Sequence, residues 1–354
     1  MLTETLRVLL PAVITFAVGM AITPIISHYL YAYKAWKKRA GKQGLDGAEA
    51  REFNRLHAET EVRAPRMGGI VVWASVTLTI LGIALAASLT ESMLLQSLDY
   101  LSRSQTWIPL AALLVGAIAG LIDDILTIRP GGGGLPLSVR LSVVVVLATI
   151  VGWWFFSKLD VHTIAIPFWS PLDLGILIIP FFVLFSLALY ASGVIDGIDG
   201  LSGGVFLSVF AGYTVIAFTQ GQIGLAAFSA SVVGGLLAFV WFNIPPARFY
   251  MSDTGTMALT LSLATIVFMT DSLGEGIGIA AFPLIGAMLV VTVASNVIQV
   301  VWKKLFKRKL FRVAPLHHHF EALGWPGYKV VMRYWVLSIV CTILGVIFAL
   351  SASA

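Results

Sequence analysis

The run Val8–Tyr31, VLLPAVITFAVGMAITPIISHYLY, contains no Asp, Glu, Lys or Arg. A helix needs about 20 largely apolar residues to cross the hydrocarbon core of a bilayer. This run is long enough to cross and too long for the apolar centre of a cleavable secretory signal, so it is expected to remain as the first span. Comparable runs begin near Gly68, Trp107, Ser138, Leu174, Gly203, Gly224, Gly255, Ile277 and Val331. Their lengths suit helices rather than the roughly ten-residue alternating strands of a membrane barrel. Composition agrees, with 58% of the 354 residues hydrophobic and 12% charged, where a soluble domain carries about 25% charged residues. The expected fold is all-α: a polytopic integral membrane protein of about ten transmembrane helices, read as one domain over residues 1–354.

Charge sets the expected orientation. Placed between these spans, twenty Lys and Arg fall on one side, and three (Arg7, Arg103 and Lys158) on the other. An excess of Lys and Arg marks the cytoplasmic side, which puts both termini outside. On that outer side, Val161–Trp169 alternates weakly and contains Pro167, a pattern expected of a short exposed hairpin. The net charge of +5 fits loops facing an anionic leaflet and an anionic substrate better than it fits nucleic acid. Cys341 is the only cysteine, so no intrachain disulfide forms.

The polar residues are more informative than the spans. Asp123-Asp124, Asp196 with Asp199, Asn243 to Asp253, and His317-His318-His319 lie in four different segments, all on the charge-rich side. Solvated polar residues would be shared between the two sides, so this one-sidedness predicts a single site. In GLIDDILTI, adjacent carboxylates at the end of an apolar helix repel each other and oppose the helix dipole; a cation or a proton-transfer role explains the pair better than a solvated helix end. The following Gly131–Gly134 lacks the Lys-Ser/Thr of a phosphate-binding loop and is expected to be only flexible. In YASGVIDGIDGLSGG, Asp196 and Asp199 share a face if the segment is helical, and Gly193, Gly197 and Gly200 suit a tight turn or a close backbone approach. In FNIPPARFYMSDTG, the two prolines end a helix and Asp253 opens the next, where it could serve as an N-cap or, at a helix start that favours anions, share the place with phosphate and Mg²⁺. Tyr250 could stack on a base or sit as an interfacial aromatic. The three histidines of APLHHHFEALGW cannot all face one metal in regular structure, and no cysteine supports a zinc site; beside Lys and Arg they suit phosphate oxygens. His28 and His57 have no evident partners, and His162 on the far side reads as structural.

From about Phe53 to the C-terminus the chain resembles the polyprenyl-phosphate N-acetylhexosamine-1-phosphate transferases, carried by GLIDD, DGIDGL, FNIPPARFYMSDTG and APLHHHFEALGWP in that order. The last of these is most similar to the phospho-N-acetylmuramoyl-pentapeptide transferase branch. The resemblance implies transfer of a sugar phosphate from a UDP-sugar to undecaprenyl phosphate with release of UMP, at the cytoplasmic face of a bacterial inner membrane, by a protein that often forms homodimers. It implies Mg²⁺ at Asp253, catalytic roles for Asp123 and Asp124, and substrate contacts from Asp196, Asp199, Asn243, Tyr250, Gln299, Arg140, His317, His318 and His319. The chain departs from that branch at Thr127 and Arg140, where lysines are usual, at Tyr190 and Gly193, where asparagines are usual, and at Ser252, where glycine is usual. VRAPRMGG before the second span is closer to a sister branch that transfers N-acetylglucosamine phosphate. The donor expected is therefore UDP-N-acetylmuramoyl-pentapeptide, with UDP-N-acetylglucosamine as the alternative. A transporter is the more distant alternative; it would place its acids near the bilayer midplane rather than at helix ends.

Overall fold

The computed structural model describes residues 2–38, 41, 62, 64–101 and 106–352. Arg39, Lys42, Arg51, Arg55, His57, Arg63 and Arg103, which contributed to the charge and histidine readings above, lie outside the described residues. Ten of the described helices are long and apolar enough to cross a membrane. A chain in hydrocarbon must satisfy its backbone polar groups within each segment, which is why these runs are helices.

In chain order the helices are α1 (Leu2–Ala32), α2 (Ile70–Leu89), the short α3 (Met93–Leu98), α4 (Trp107–Ile128) and α5 (Leu137–Lys158). They continue with α6 (Ile178–Ala191), α7 (Leu201–Thr219), α8 (Ile223–Asn243) and α9 (Ser252–Phe268). After these come the short α10 (Gly278–Ile285), α11 (Ala287–Phe306), the short α12 (Leu316–Ala322) and α13 (Gly327–Ala352). Between α5 and α6, strands β1 (Thr163–Ile164) and β2 (Leu172–Asp173) pair antiparallel, so the hairpin expected over Val161–Trp169 is present and reaches slightly further.

Helix α9 is the centre of the bundle. The span Ser252–Asp271 is 94% buried, against 22% for the first and last spans. Its many hydroxyls need no water. Thr260 Oγ1 donates to the Thr256 carbonyl at 2.7 Å and Thr270 Oγ1 to the Ile266 carbonyl at 3.0 Å, while Ser262 Oγ reaches across to the Pro109 carbonyl of α4 at 3.1 Å. Small residues and hydroxyls let helices pack closely where lipid supplies no hydrophobic drive between them.

Two expected boundaries change. The first helix starts at Leu2 rather than near Val8. The ninth span does not run on from Ile277: Gly278–Ile285 is a separate short helix containing Pro283, the chain turns at Gly286, and the span begins at Ala287. Proline lacks the N–H that would continue the ladder, which favours a break there. Opposite the site described below, the Asp271 carboxylate accepts from Ala165 N at 2.9 Å and from Ile279 N at 3.0 Å, tying the hairpin and α10 to the end of the central span.

Candidate active site

The alternation of helices brings the C-terminal ends of α1, α4, α6, α8 and α11 to the same end of the bundle as the N-terminal ends of α2, α5, α7, α9 and α13. The segments picked out in the sequence meet there. The closest meeting is between α4 and α9. At Gly120 of α4 an added Cβ would stand 2.0 Å from the Asp253 carbonyl oxygen, and at Gly116 it would stand 2.6 Å from the Met257 carbonyl oxygen. Only glycine allows this approach. It places Asp123 and Asp124, one turn short of the end of α4, against the first turn of α9.

Asp123, Asp124 and Asp253 each offer an oxygen within 4.8 Å of the others. Asp124 is fully buried and engaged at both oxygens. Its Oδ2 accepts from Ser252 Oγ at 2.6 Å, Thr254 N at 2.9 Å and Thr254 Oγ1 at 2.6 Å, and its Oδ1 accepts from Arg66 Nε at 2.9 Å. Each carboxylate oxygen has about two acceptor positions, so Oδ2 is saturated while Oδ1, with Arg66 as its one donor, is the oxygen through which Asp124 can still act. Asp123 accepts from the backbone N–H of Leu135. The glycine run after α4 is thus not merely a flexible connection, because it folds back to hold this carboxylate. Asp253 is not an N-cap. It lies inside the first turn of α9, the preceding Met251 makes no capping bond, and the Asp253 Oδ2 instead faces Arg66 Nη2 at 3.3 Å and Arg140 Nη1 at 3.9 Å.

Two guanidinium groups therefore balance three carboxylates, but differently. Arg66 spends its donors on Asp124 and Asp253. Burial works against its charge, and Asp124, Asp253 and Asp196 outweigh that and raise its pKa. Arg140 stands 3.7 Å from Asp123 Oδ2, beyond hydrogen-bond distance, and its Nε is buried with no hydrogen-bond partner. The Tyr190 hydroxyl lies beside it. Arg66 was counted in the sequence only as a loop charge. Its position two residues before Gly68-Gly69 in VRAPRMGG, at the start of a span on the charge-rich side, is the signal that could have found it.

Ser252 joins the surrounding segments. Its φ of 53° is left-handed, a conformation that suits the glycine usual at this position and costs other residues about 1–2 kcal/mol. The side chain compensates. Ser252 Oγ donates to Asp124 and accepts from Met67 N at 2.8 Å, and the Ser252 N–H donates to Asp196 Oδ2 at 2.7 Å. Asp196 also accepts from Ser202 Oγ at 2.7 Å. Asp196 and Asp199 do not share a helical face, because Asp196 closes a 3₁₀ turn over Ser192–Ile195. Asp199 accepts from Ala247 N at 2.9 Å instead. Asn243 is buried between these loops, accepting from Gly200 N at 2.9 Å and donating to the Phe249 carbonyl at 2.8 Å. Tyr250 is tied through its backbone to Pro65 and Gly68 at 2.9 and 2.7 Å.

The histidines complete the rim. An added Cβ at Gly197 would lie 2.6 Å from His318 Nε2 and 2.7 Å from His317 Nε2, so both rings rest directly on the Asp196–Asp199 loop. His318 Nδ1 and Glu321 Oε2 are 2.7 Å apart. His319 turns away and accepts from Arg312 N at 3.2 Å; partial burial and then the Arg312 charge lower its pKa. Gln299 stands one step outside, its amide closing on Leu310 and Phe311 of the segment before the histidines.

Oxygen-only donors at this spacing, three carboxylates facing two guanidinium groups, suit a hard divalent cation such as Mg²⁺. Residues 106–271 match the model of glycosyl transferase family 4. The chain is 30% identical over 329 residues to the phospho-N-acetylmuramoyl-pentapeptide-transferase of Latilactobacillus sakei, covering 92% of this chain and 94% of that one. It is 30% identical over 351 residues to the transferase of that name from Shouchella clausii, covering 97% and 98%. The transferase of that name from Anoxybacillus flavithermus is 28% identical over 344 residues, covering 96% and 97%.

Proposed function

The chain belongs to the phospho-N-acetylmuramoyl-pentapeptide-transferase family, and from that premise we propose that it moves phospho-N-acetylmuramoyl-pentapeptide from its UDP donor to undecaprenyl phosphate. The new phosphorus–oxygen bond runs from the acceptor phosphate to the sugar-linked phosphorus, and the donor pyrophosphate bond breaks to release UMP. The observation that carries this reading is the meeting of Asp123, Asp124 and Asp253 within 4.8 Å of one another, beside a guanidinium whose Nε has no protein partner.

Two anions must approach at a low-dielectric interface, so charge neutralisation dominates the barrier. The residues that would hold Mg²⁺ are Asp253 with Asp123 and Asp124, and the ion when bound would supply Lewis-acid neutralisation of the donor pyrophosphate. Arg140 has donors to spare for phosphate oxygens, which an arginine fork binds strongly. His317 and His318, pressed against Gly197, line the same end. The acceptor monoester has a second pKa of about 6 and is largely ionised at neutral pH, so in-line attack needs positioning more than proton removal. Asp124, with Oδ2 saturated by Ser252 and Thr254 and only Oδ1 turned to the centre, holds and orients the ion rather than the acceptor. Asp123 is the one of the pair left to meet the acceptor. The charge bias of the loops supports a site open to the cytoplasm of a bacterial inner membrane, and the family resemblance adds a homodimer.

The test is turnover by purified full-length protein with undecaprenyl phosphate, Mg²⁺ and either radiolabelled donor, the lipid product being identified by mass. Product from UDP-N-acetylmuramoyl-pentapeptide alone is expected. Product from UDP-N-acetylglucosamine alone would overturn the donor assignment.

A further inference from the structure

The acidic centre already contains a cation, and its placement suggests a role beyond charge balance. Asp124 has one oxygen, Oδ2, saturated by three donors from Ser252 and Thr254, groups built into the start of α9. Only Oδ1 is open to exchange, and Arg66 Nε holds it at 2.9 Å. Asp253 presents Oδ2 to the centre, and the other end of the same guanidinium lies 3.3 Å from it. One planar group thus covers both oxygens through which Asp124 and Asp253 would receive a metal ion. Arg66 cannot drift off easily, because its neighbours are fixed: Met67 N donates to Ser252 Oγ at 2.8 Å, and Gly68 N and Gly69 N donate to the carbonyls of Tyr250 and Met251 at 2.7 and 3.2 Å.

We infer that Arg66 is a resident counter-cation: it clamps Asp124 and Asp253 together and competes with a divalent ion for the same two carboxylate oxygens. It is a positioning residue. Without it, three carboxylates within 4.8 Å would repel one another; with it they are pre-set for a metal, at the expense of metal affinity. Arg140 does not duplicate this role, since it approaches Asp123 and Asp253 no closer than 3.7 and 3.9 Å. The inference rests on the reading of the three carboxylates as the metal seat.

Its signature runs against the usual effect of damaging a metal site. A like charge within about 4–6 Å disfavours a charged state by roughly one to three decades, so removing Arg66 should tighten binding of metal alone. The experiment measures Mn²⁺ affinity by electron paramagnetic resonance on the detergent-solubilised full chain, without substrates, for the unsubstituted protein, Arg66→Gln, Arg66→Lys and Asp253→Asn. Arg66→Gln is expected to bind Mn²⁺ at least about tenfold more tightly while losing most of its turnover, because the carboxylates are no longer held in register. Arg66→Lys, whose single ammonium can hold one carboxylate but lacks the arginine fork, should shift in the same direction by less. Unchanged or weaker Mn²⁺ binding by Arg66→Gln overturns the inference. If that variant does not give folded protein, unchanged or weaker binding by Arg66→Lys overturns it equally. Asp253→Asn separates the two levels: if it binds Mn²⁺ as well as the unsubstituted chain, the metal seat itself falls and the inference with it, whereas loss of binding there with no gain in the Arg66 variants removes the inference alone.

Discussion

Gly197 shows how much a single missing methyl can decide. Its would-be Cβ meets two ring nitrogens, those of His317 and His318, at 2.7 and 2.6 Å. Contacts that short force one side to move, and overpacking typically costs about 1–3 kcal/mol. Both histidines are buried, and His318 is further held through Glu321, so the strain should pass to the loop carrying Asp196. That loop supports Ser252, and Ser252 supports Asp124. Gly197→Ala is therefore expected to lower turnover by at least about tenfold, through displacement of the Asp196 loop and the Ser252–Asp124 bonds it supports, while its thermal unfolding midpoint falls by only a few degrees. Turnover equal to that of the unsubstituted chain would show that the Asp196 loop does not depend on this contact. The sequence announced Gly197 as a place for close backbone approach, but not what approaches. That required knowing that a segment 120 residues downstream folds onto it, and no local pattern carries such long-range information. Ser252 is the converse case. It read as a departure from the usual glycine, and its compensating bonds to Asp124 and Met67 depend on partners equally distant in the chain.

At the scale of elements, the site depends on how closely α9 lies against α4. Helix spans were legible because hydrocarbon imposes length and apolarity on every one of them, and the errors fell where that constraint relaxes, as at Gly286 between α10 and α11. The α4–α9 contact was not legible. Gly116 and Gly120 are two of many small residues in apolar runs, and spacing alone does not reveal which neighbour they admit. The contact gives a paired prediction. Gly120→Ala must push against the Asp253 carbonyl at 2.0 Å, a backbone atom that cannot rotate aside. It should shift the first turn of α9 away from Asp123 and Asp124, reduce turnover to about 1% of the unsubstituted rate by analogy with the roughly 10²-fold effect of ångström-scale misplacement, and destabilise the fold by about 1–3 kcal/mol. Gly82→Ala in α2 is the matched control. No atom lies within 4 Å of its added Cβ, so alanine there should leave turnover intact and stabilise the helix by about 0.5–1 kcal/mol. Calorimetry and turnover of the two variants in the same detergent decide the matter, and equal losses in both would refute the close-approach argument.

At the scale of the whole molecule, the arrangement is two-ended. One end gathers Arg66, Asp123, Asp124, Asp196, Asp253 and the histidines; the other carries the β1–β2 hairpin and Asp271, whose carboxylate is occupied by backbone donors. The sequence foretold this polarity because a charged group in a bilayer must sit near an end or be paired, so the one-sided placement of acids in four separate segments already implied one site. Which way the molecule faces is a separate matter, and it rests on the Lys and Arg bias, since a cytoplasmic excess of these residues governs insertion. The site end has exposed positions at Ser138, next to the start of α5, and at Arg308, after α11, while Ser170 in the hairpin is exposed at the other end. Single cysteines at these three positions, in a background with Cys341 replaced by Ser, can be treated on intact cells with a membrane-impermeant maleimide. Ser170→Cys should react from outside, whereas Ser138→Cys and Arg308→Cys should react only once the membrane is permeabilised. A cytoplasmic site requires that pattern, because the UDP-linked donor is a charged nucleotide sugar that a bilayer excludes. Labelling of Ser138→Cys and Arg308→Cys from outside, with Ser170→Cys protected, would invert the molecule and force the donor to be supplied from the opposite side. Labelling of Ser138→Cys and Ser170→Cys from the same side would be more damaging still, because these positions flank the single span α5 at its two ends.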